Sequence, residues 1–164
     1  MPSPLMVTLA LGLAAAVVTD VRSRRIPNWL TGAIVGAGLG IAFGGGHVTP
    51  LQALFGMGAG LLLMMPGHLI GATGAGDVKL MAAIGTVVGP GMIVRVFLYT
   101  AIAGGLFALA VAANRGLLMA TLQGTTRLVT APVAARETIE SPSRANRFAY
   151  GPAIAVGTFV ALLA

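Results

Sequence analysis

The chain has 164 residues, of which 57% are hydrophobic and 9% are charged. Soluble domains carry about 25% charged residues, so this composition excludes an ordinary soluble protein and indicates an integral membrane protein. The net charge of +6 does not indicate nucleic-acid binding, because the basic residues lie in loops between apolar runs, where they orient a protein in the bilayer. No nucleic-acid partner is predicted.

The residues that usually bind metals are scarce. There is no cysteine in the chain, which excludes disulfides, thiolate nucleophiles and cysteine-ligated zinc. The two histidines, His47 and His68, lie far apart with no carboxylate at ligand spacing. We therefore predict no metal and no cofactor.

Apolar runs in chain order predict about six transmembrane helices, a number that a chain of this length allows at ~20 residues per span. The predicted spans are residues 4–19, 26–43, 51–65, 77–89, 92–113 and 148–164. Glycine and proline in "GGGHVTP" and "GPG" separate neighbouring spans. The first run lacks the basic residues that precede a signal sequence, so it is interpreted as a retained helix. The predicted fold is all-α, a polytopic membrane protein with one domain over residues 1–164.

The basic residues indicate the orientation. Of 10 Lys and Arg residues, all except Arg95 fall on one predicted side of the membrane. The positive-inside rule makes that side cytoplasmic and leaves both termini outside. We assign the arginines of these loops to anionic lipid head groups, and Trp29, at the start of the second span, to an interfacial anchor.

A long polar loop is predicted over residues 114–147 on the cytoplasmic side. Apolar residues at helical spacing in this loop, with interspersed arginines, are typical of an amphipathic helix lying on the leaflet. An irregular basic loop is an equally good interpretation. The 24 glycines, as in "GAIVGAGLG" and "GMGAG", are interpreted as small residues that let helices pack closely in lipid.

Only four acidic residues are present: Asp20, Asp77, Glu137 and Glu140. The glutamates lie in the polar loop and are interpreted as solvated. Asp20 and Asp77 instead stand where an apolar helix meets a basic loop, and the predicted topology puts both at the cytoplasmic face. An ionisable residue beside a span is a candidate functional site. The alternative is a structural ion pair, Asp20 with a following arginine or Asp77 with Lys79.

Two neighbouring carboxylates can share one proton, so that one is an acid while the other is a base. The base can take a proton from a water that attacks a peptide carbonyl, and the acid can protonate the oxyanion and the leaving amine. The small residues Gly74, Ala75 and Gly76 would leave room for an extended substrate beside Asp77, and glycine tolerates unusual torsions.

Three segments resemble those of one family. "GAGDVKL" (residues 74–80) is similar to the G-x-G-D motif of intramembrane aspartic proteases, with the Lys-Leu of prepilin peptidases. "DVRSRRIPN" (residues 20–28) resembles the aspartate, basic stretch and Ile-Pro-Asn of that family, and "FAYGPAIAVG" (residues 148–157) its final helix. The six-span pattern extends the resemblance over nearly the whole chain.

The resemblance implies an aspartic endopeptidase of the bacterial inner membrane that removes short basic leaders from type IV prepilin and pseudopilin precursors at the cytoplasmic face. Asp20 and Asp77 would be catalytic, and Gly74, Ala75, Gly76 and Lys79 would bind the substrate. Larger members carry an amino-terminal domain with a four-cysteine zinc site. This chain has neither the extra length nor any cysteine, so it resembles the short form of tight-adherence (Flp) pilus systems, for which leader cleavage without N-methylation is expected.

Two other interpretations use the same residues. In a small transporter or channel, Asp20 and Asp77 would relay protons or bind a cation. However, transporter sites usually lie near the midplane of the bilayer, whereas both aspartates are predicted at one face. A non-catalytic membrane scaffold would need only the glycine-rich helices.

Overall fold

The computed structural model describes residues 4–114 and 150–164 of the chain. This part is helical and contains no strand, so the predicted all-α class is confirmed. The helices are α1 (Pro4–Ser23), α2 (Asn28–Phe43), α3 (Pro50–Leu69), a long stretch over Ala75–Asn114, and a last helix over Gly151–Leu163. The polar loop predicted over residues 114–147, with its two glutamates and the start predicted for the last span, lies almost wholly outside the described residues.

The long stretch is two helices joined at Gly89. This residue has φ 79° and ψ 175°, a conformation that glycine adopts readily because it has no Cβ, and Pro90 follows as the first residue of a new helix. We call the two parts α4 (residues 75–88) and α5 (residues 90–114), and the last helix α6. The predicted end of the fourth helix at "GPG" is confirmed.

Two predicted helix ends were wrong. The first helix continues past residue 19 to Ser23, so Asp20 lies within its last turns and not after its end. It ends where Arg24 takes φ 50°, the left-handed conformation that commonly terminates helices. The third helix continues through Pro66 to Leu69, because a proline deprives only one carbonyl of its donor and the surrounding turns still form.

Three helical stretches in the described part are long and apolar enough to cross a membrane: Met6–Ser23, Pro50–Leu69 and Ala75–Val111. The helices Asn28–Phe43 and Gly151–Leu163 are apolar but shorter, with 16 and 13 residues, below the ~17–25 residues of a typical span. About six spans, and termini on the outer side, stay predictions.

The α4–α5 stretch is central in the bundle and contacts all four other helices. Eight consecutive residues of α4, Leu80 to Val87, are buried. Glycines of α3 permit the closest approach, since a Cβ added at Gly56 would overlap the carbonyl oxygen of Gly85. The predicted packing role of glycine therefore holds for Gly56, whereas Gly36 and Gly58 face open space.

Candidate active site

Asp20 is held at the start of α6 although it belongs to α1. Its side chain is 6% exposed, and its Oδ2 accepts a 2.8 Å hydrogen bond from the backbone N–H of Gly151. Gly151 is the first residue of α6, where the N–H groups have no partner within the helix and the helix dipole favours a negative charge. The hydrogen bond and the helix dipole therefore compensate the Asp20 carboxylate for part of the hydration that it loses on burial.

Asp77 has the same kind of support from its own helix. It is the third residue of α4, it is 8% exposed, and its Oδ2 accepts a 3.0 Å hydrogen bond from the backbone N–H of Gly74. In return, the carbonyl of Gly74 accepts from the N–H of Asp77 at 3.1 Å. This is the half of a capping box in which the third helical residue reaches back to the N-cap.

The two aspartates line one cavity of about 280 Å³. They are close enough to interact electrostatically. The other lining residues are Arg24, Arg25, Ile26, Asn28, Gly74, Ala75, Gly76 and Lys79. All six residues predicted for catalysis or substrate binding therefore lie around the same space, with basic side chains near two buried carboxylates.

The glycines before Asp77 let neighbouring atoms approach the backbone closely. A Cβ added at Gly76 would lie 3.2 Å from the Cβ of Ile26, and one added at Gly74 would lie 3.1 Å from Oδ2 of Asp77. Neither glycine has a positive φ, so the tolerance of glycine for unusual torsions is not used at these two positions. The absence of a side chain at Gly76 lets the connection between α1 and α2 pack onto the start of α4, which brings Ile26 against the residue that precedes Asp77.

Lys79 joins the same two segments. Its Nζ donates a 2.9 Å hydrogen bond to Oδ1 of Asn28, 51 residues earlier in the chain. The pair is exposed and stands at the cavity wall. The sequence suggested an ion pair between Lys79 and Asp77 as the structural alternative, whereas in the structure Lys79 donates its hydrogen bond to Asn28.

The segment around residue 150 contributes a backbone donor and an aromatic ring that the sequence analysis did not assign to the site. Burial raises the pKa of the Tyr150 phenol, and the negative charge of Asp77 raises it further, so this side chain is a neutral neighbour of the carboxylate. Its ring lies against α5, where a Cβ added at Gly104 would come within 2.5 Å of the Tyr150 hydroxyl. The signal in the sequence was the proline of "YGP", which is typical of the first turn of a helix and so of a free N–H group.

No metal ligand set is found in residues 4–114 and 150–164, where no group of three or more His, Cys, Asp or Glu side chains lies together. The chemistry available to the described cavity is that of its two carboxylates, one lysine and two arginines. Two carboxylates at close range suit proton transfer to and from a bound water.

A family model described as the type IV leader peptidase family matches residues 7–109. This is more than half of the chain, and it includes both aspartates and the whole α1–α5 region up to residue 109. The chain belongs to the type IV leader peptidase family. Membership implies a protease, with prepilins as the substrates of the family, and the apolar helices agree with a membrane location.

Membership in the type IV leader peptidase family gives no support to the transporter interpretation. The family match ends before Tyr150 and Gly151, so the hydrogen bond from the start of α6 to Asp20 is known only from the structure. Neither the curated proteins nor the solved structures contain a significant match to this chain.

Proposed function

We propose that this protein is an aspartic endopeptidase that removes the short basic leader of type IV pilin-like precursors, of the Flp type, at the cytoplasmic face of the bacterial inner membrane. The observation that carries the proposal is the shared cavity of Asp20 and Asp77 in a member of the type IV leader peptidase family. The leader of such a precursor is polar and stays in the cytoplasm, while the segment after the scissile bond is apolar. The bond to be cut therefore lies at the interface.

In the proposed reaction, one aspartate is ionised and the other carries a proton. The ionised carboxylate removes a proton from a water molecule, whose oxygen forms a bond to the carbonyl carbon of the scissile peptide. The protonated aspartate donates its proton to the carbonyl oxygen, which gives a tetrahedral diol. Proton transfer to the peptide nitrogen then allows the C–N bond to break, releasing an amine and a carboxylic acid. Each aspartate can act as acid or base in this cycle.

The glycine N–H groups support this chemistry by positioning the carboxylates. Oδ2 of Asp20 accepts a hydrogen bond from Gly151, and Oδ2 of Asp77 accepts one from Gly74. These bonds fix the orientation of the two side chains and do not involve Oδ1 of either. Two fixed carboxylates facing one cavity reduce the reorganisation needed at the moment of reaction. Gly74, Ala75, Gly76 and Lys79 are proposed to contact the substrate backbone along the cavity wall.

The test is leader cleavage of a co-expressed precursor, followed by the mass of the product. We expect Asp20→Asn and Asp77→Asn each to lower the rate at least about 100-fold, because asparagine keeps an acceptor for the glycine N–H but cannot exchange the proton. Glu140→Gln, which removes another of the four acids, is the matched control and should cleave normally. Full cleavage by either aspartate variant, in protein that has inserted into the membrane, would contradict the two-aspartate mechanism.

A further inference from the structure

A second, apolar cavity adjoins the candidate active site. We call it the apolar groove. It has a volume of about 590 Å³ and lies between the last turns of α3 and the middle of α5. Its lining includes Leu62, Leu63, Thr73, Phe97, Ala101 and Tyr150.

The apolar groove is connected to both aspartates through the chain itself. One of its polar residues, Thr73, directly precedes Gly74, whose N–H holds Asp77. The other, Tyr150, directly precedes Gly151, whose N–H holds Asp20. The polar end of the groove is thus one residue away from each of the two donors that position the carboxylates.

The cavity lined by Asp20 and Asp77 is called the catalytic cavity here. It differs from the groove in chemical character, and the two share no lining residue. The catalytic cavity has Arg25, Asn28 and Lys79 on its wall, whereas aliphatic and aromatic side chains make most of the groove. A charged segment entering the groove would lose its hydration without gaining a partner, which is unfavourable, while an apolar segment would lose little. The aspartates stand at the boundary between the two environments.

The polar end of the groove distinguishes a peptide from a lipid chain. The Oγ1 of Thr73 is buried and has no hydrogen-bond partner in the part of the chain that the structure describes. Thr73 itself lines the groove, and rotation of its side chain about χ1 would bring this hydroxyl to the N–H or C=O groups of a passing peptide, whereas an acyl chain offers no such partner. The volume also suits a peptide, because a helix about 11 Å across occupies roughly 500 Å³ per turn, so that about one turn fits.

We propose that the apolar groove binds the apolar segment of the substrate on the carboxyl side of the scissile bond, with Thr73 and Tyr150 at the point where that segment enters the active site. This inference rests on the proposed function and adds the place where the uncleaved, membrane-embedded part of the precursor docks. The polar leader then lies on the side of the catalytic cavity.

The absence of cysteine from the chain allows a direct test by single-cysteine cross-linking. Ala101→Cys in the groove is compared with Ile102→Cys, the adjacent residue of α5, which is 59% exposed and does not line the groove. Both are combined with Asp77→Asn, so that an uncleaved precursor with one cysteine in its apolar segment can accumulate. We expect cross-linking at residue 101 at least about tenfold above that at residue 102, and none from a precursor whose cysteine is in the leader.

A second measurement uses the active enzyme. Ala101→Phe should reduce the volume of the groove and raise KM for the precursor at least about tenfold with little change in kcat, whereas Ile102→Phe should leave both unchanged. Equal cross-linking at residues 101 and 102, or an unaltered KM in Ala101→Phe, would overturn the inference and leave the groove to lipid. Failure of the proposed function is separate, because it would appear as cleavage by the Asp20→Asn or Asp77→Asn enzymes whatever the groove variants do.

Discussion

The backbone N–H of Gly151 donates a hydrogen bond of 2.8 Å to Oδ2 of Asp20, across 131 residues of chain. This contact joins the first and last helices of the described bundle at the candidate active site. A Cβ at Gly151 would lie 2.8 Å from Oδ2 and 3.1 Å from the Cβ of Asp20. The glycine is therefore required for approach of the carboxylate to the N-terminus of α6.

Gly151→Ala should displace the Asp20 carboxylate without removing its N–H donor. Because misplacement of a catalytic group by about 1 Å can cost roughly 100-fold in rate, we expect kcat/KM for precursor cleavage to fall between about tenfold and 100-fold. Gly36→Ala is the matched control, since a Cβ there meets nothing within 4 Å. Unchanged cleavage by Gly151→Ala would show that the orientation of Asp20 does not depend on this contact.

The hydrogen bond between Lys79 and Asn28 should couple the two residues energetically. Asn28→Ala and Lys79→Met each remove it, so the double variant should be less impaired than the sum of the single effects. For an exposed bond to a charged group we expect a coupling free energy of about 1 kcal/mol in kcat/KM. A double-mutant cycle on precursor cleavage measures this term. Strictly additive effects would mean that Lys79 acts independently of Asn28, for example on the substrate alone.

Two adjacent glycines of α5 provide a test of the position of Tyr150. A Cβ at Gly104 would collide with the Tyr150 ring, whereas one at Gly105 meets nothing within 4 Å. We expect Gly104→Ala to push the ring out of place and lower cleavage at least about tenfold, because Tyr150 lines the apolar groove and directly precedes Gly151, which holds Asp20. Gly105→Ala should cleave normally. Equal rates for the two variants would exclude a requirement for this ring position.

The sequence predicted the helical class and the two carboxylates because these depend on local signals. Apolar runs and their glycine and proline breakers identify helices, and Asp20 and Asp77 were conspicuous since charge is rare in this chain. The exact ends of α1 and α3 were missed because helix ends depend on individual backbone conformations. The positive φ of Arg24 and the continuation through Pro66 are of this kind.

The partners of the aspartates could not be predicted from spacing. Gly151 and Asp20 are far apart in the chain, and the contact between Gly76 and Ile26 depends on how the connection after α1 folds back onto α4. The same holds for the bond from Lys79 to Asn28, which local spacing would have assigned to Asp77. Long-range contacts of this type are fixed by packing, which a single sequence does not display.

Tyr150 should remain neutral to an unusually high pH. Burial, and secondarily the charge of Asp77, raise its pKa above the ordinary 10.0. The unfolded chain therefore ionises first, so the stabilisation from this phenol is fully present below about pH 10 and is lost as the pH rises through the folded pKa. The ultraviolet absorbance of tyrosinate, compared with that of Tyr150→Phe, should show Tyr150 titrating above pH 10, and Asp77→Asn should lower that midpoint. Titration of Tyr150 at or below its ordinary value would contradict its burial beside Asp77.

Two glycines of α3 should respond oppositely to the same substitution. A Cβ at Gly56 would overlap the carbonyl oxygen of Gly85 on α4, and because backbone cannot rotate away as a side chain can, the two helices must separate. We expect Gly56→Ala to destabilise the protein by about 1–3 kcal/mol, the usual cost of overpacking. Gly58, two residues along the same helix, meets nothing within 4 Å, so Gly58→Ala should stabilise by roughly 0.5–1 kcal/mol through helix propensity alone. Thermal unfolding in detergent micelles, followed by helical circular dichroism, compares the two. A Gly56→Ala protein as stable as the Gly58→Ala protein would show that α3 and α4 are not in backbone contact, and the position of the groove between α3 and α5 would then have to be revised as well.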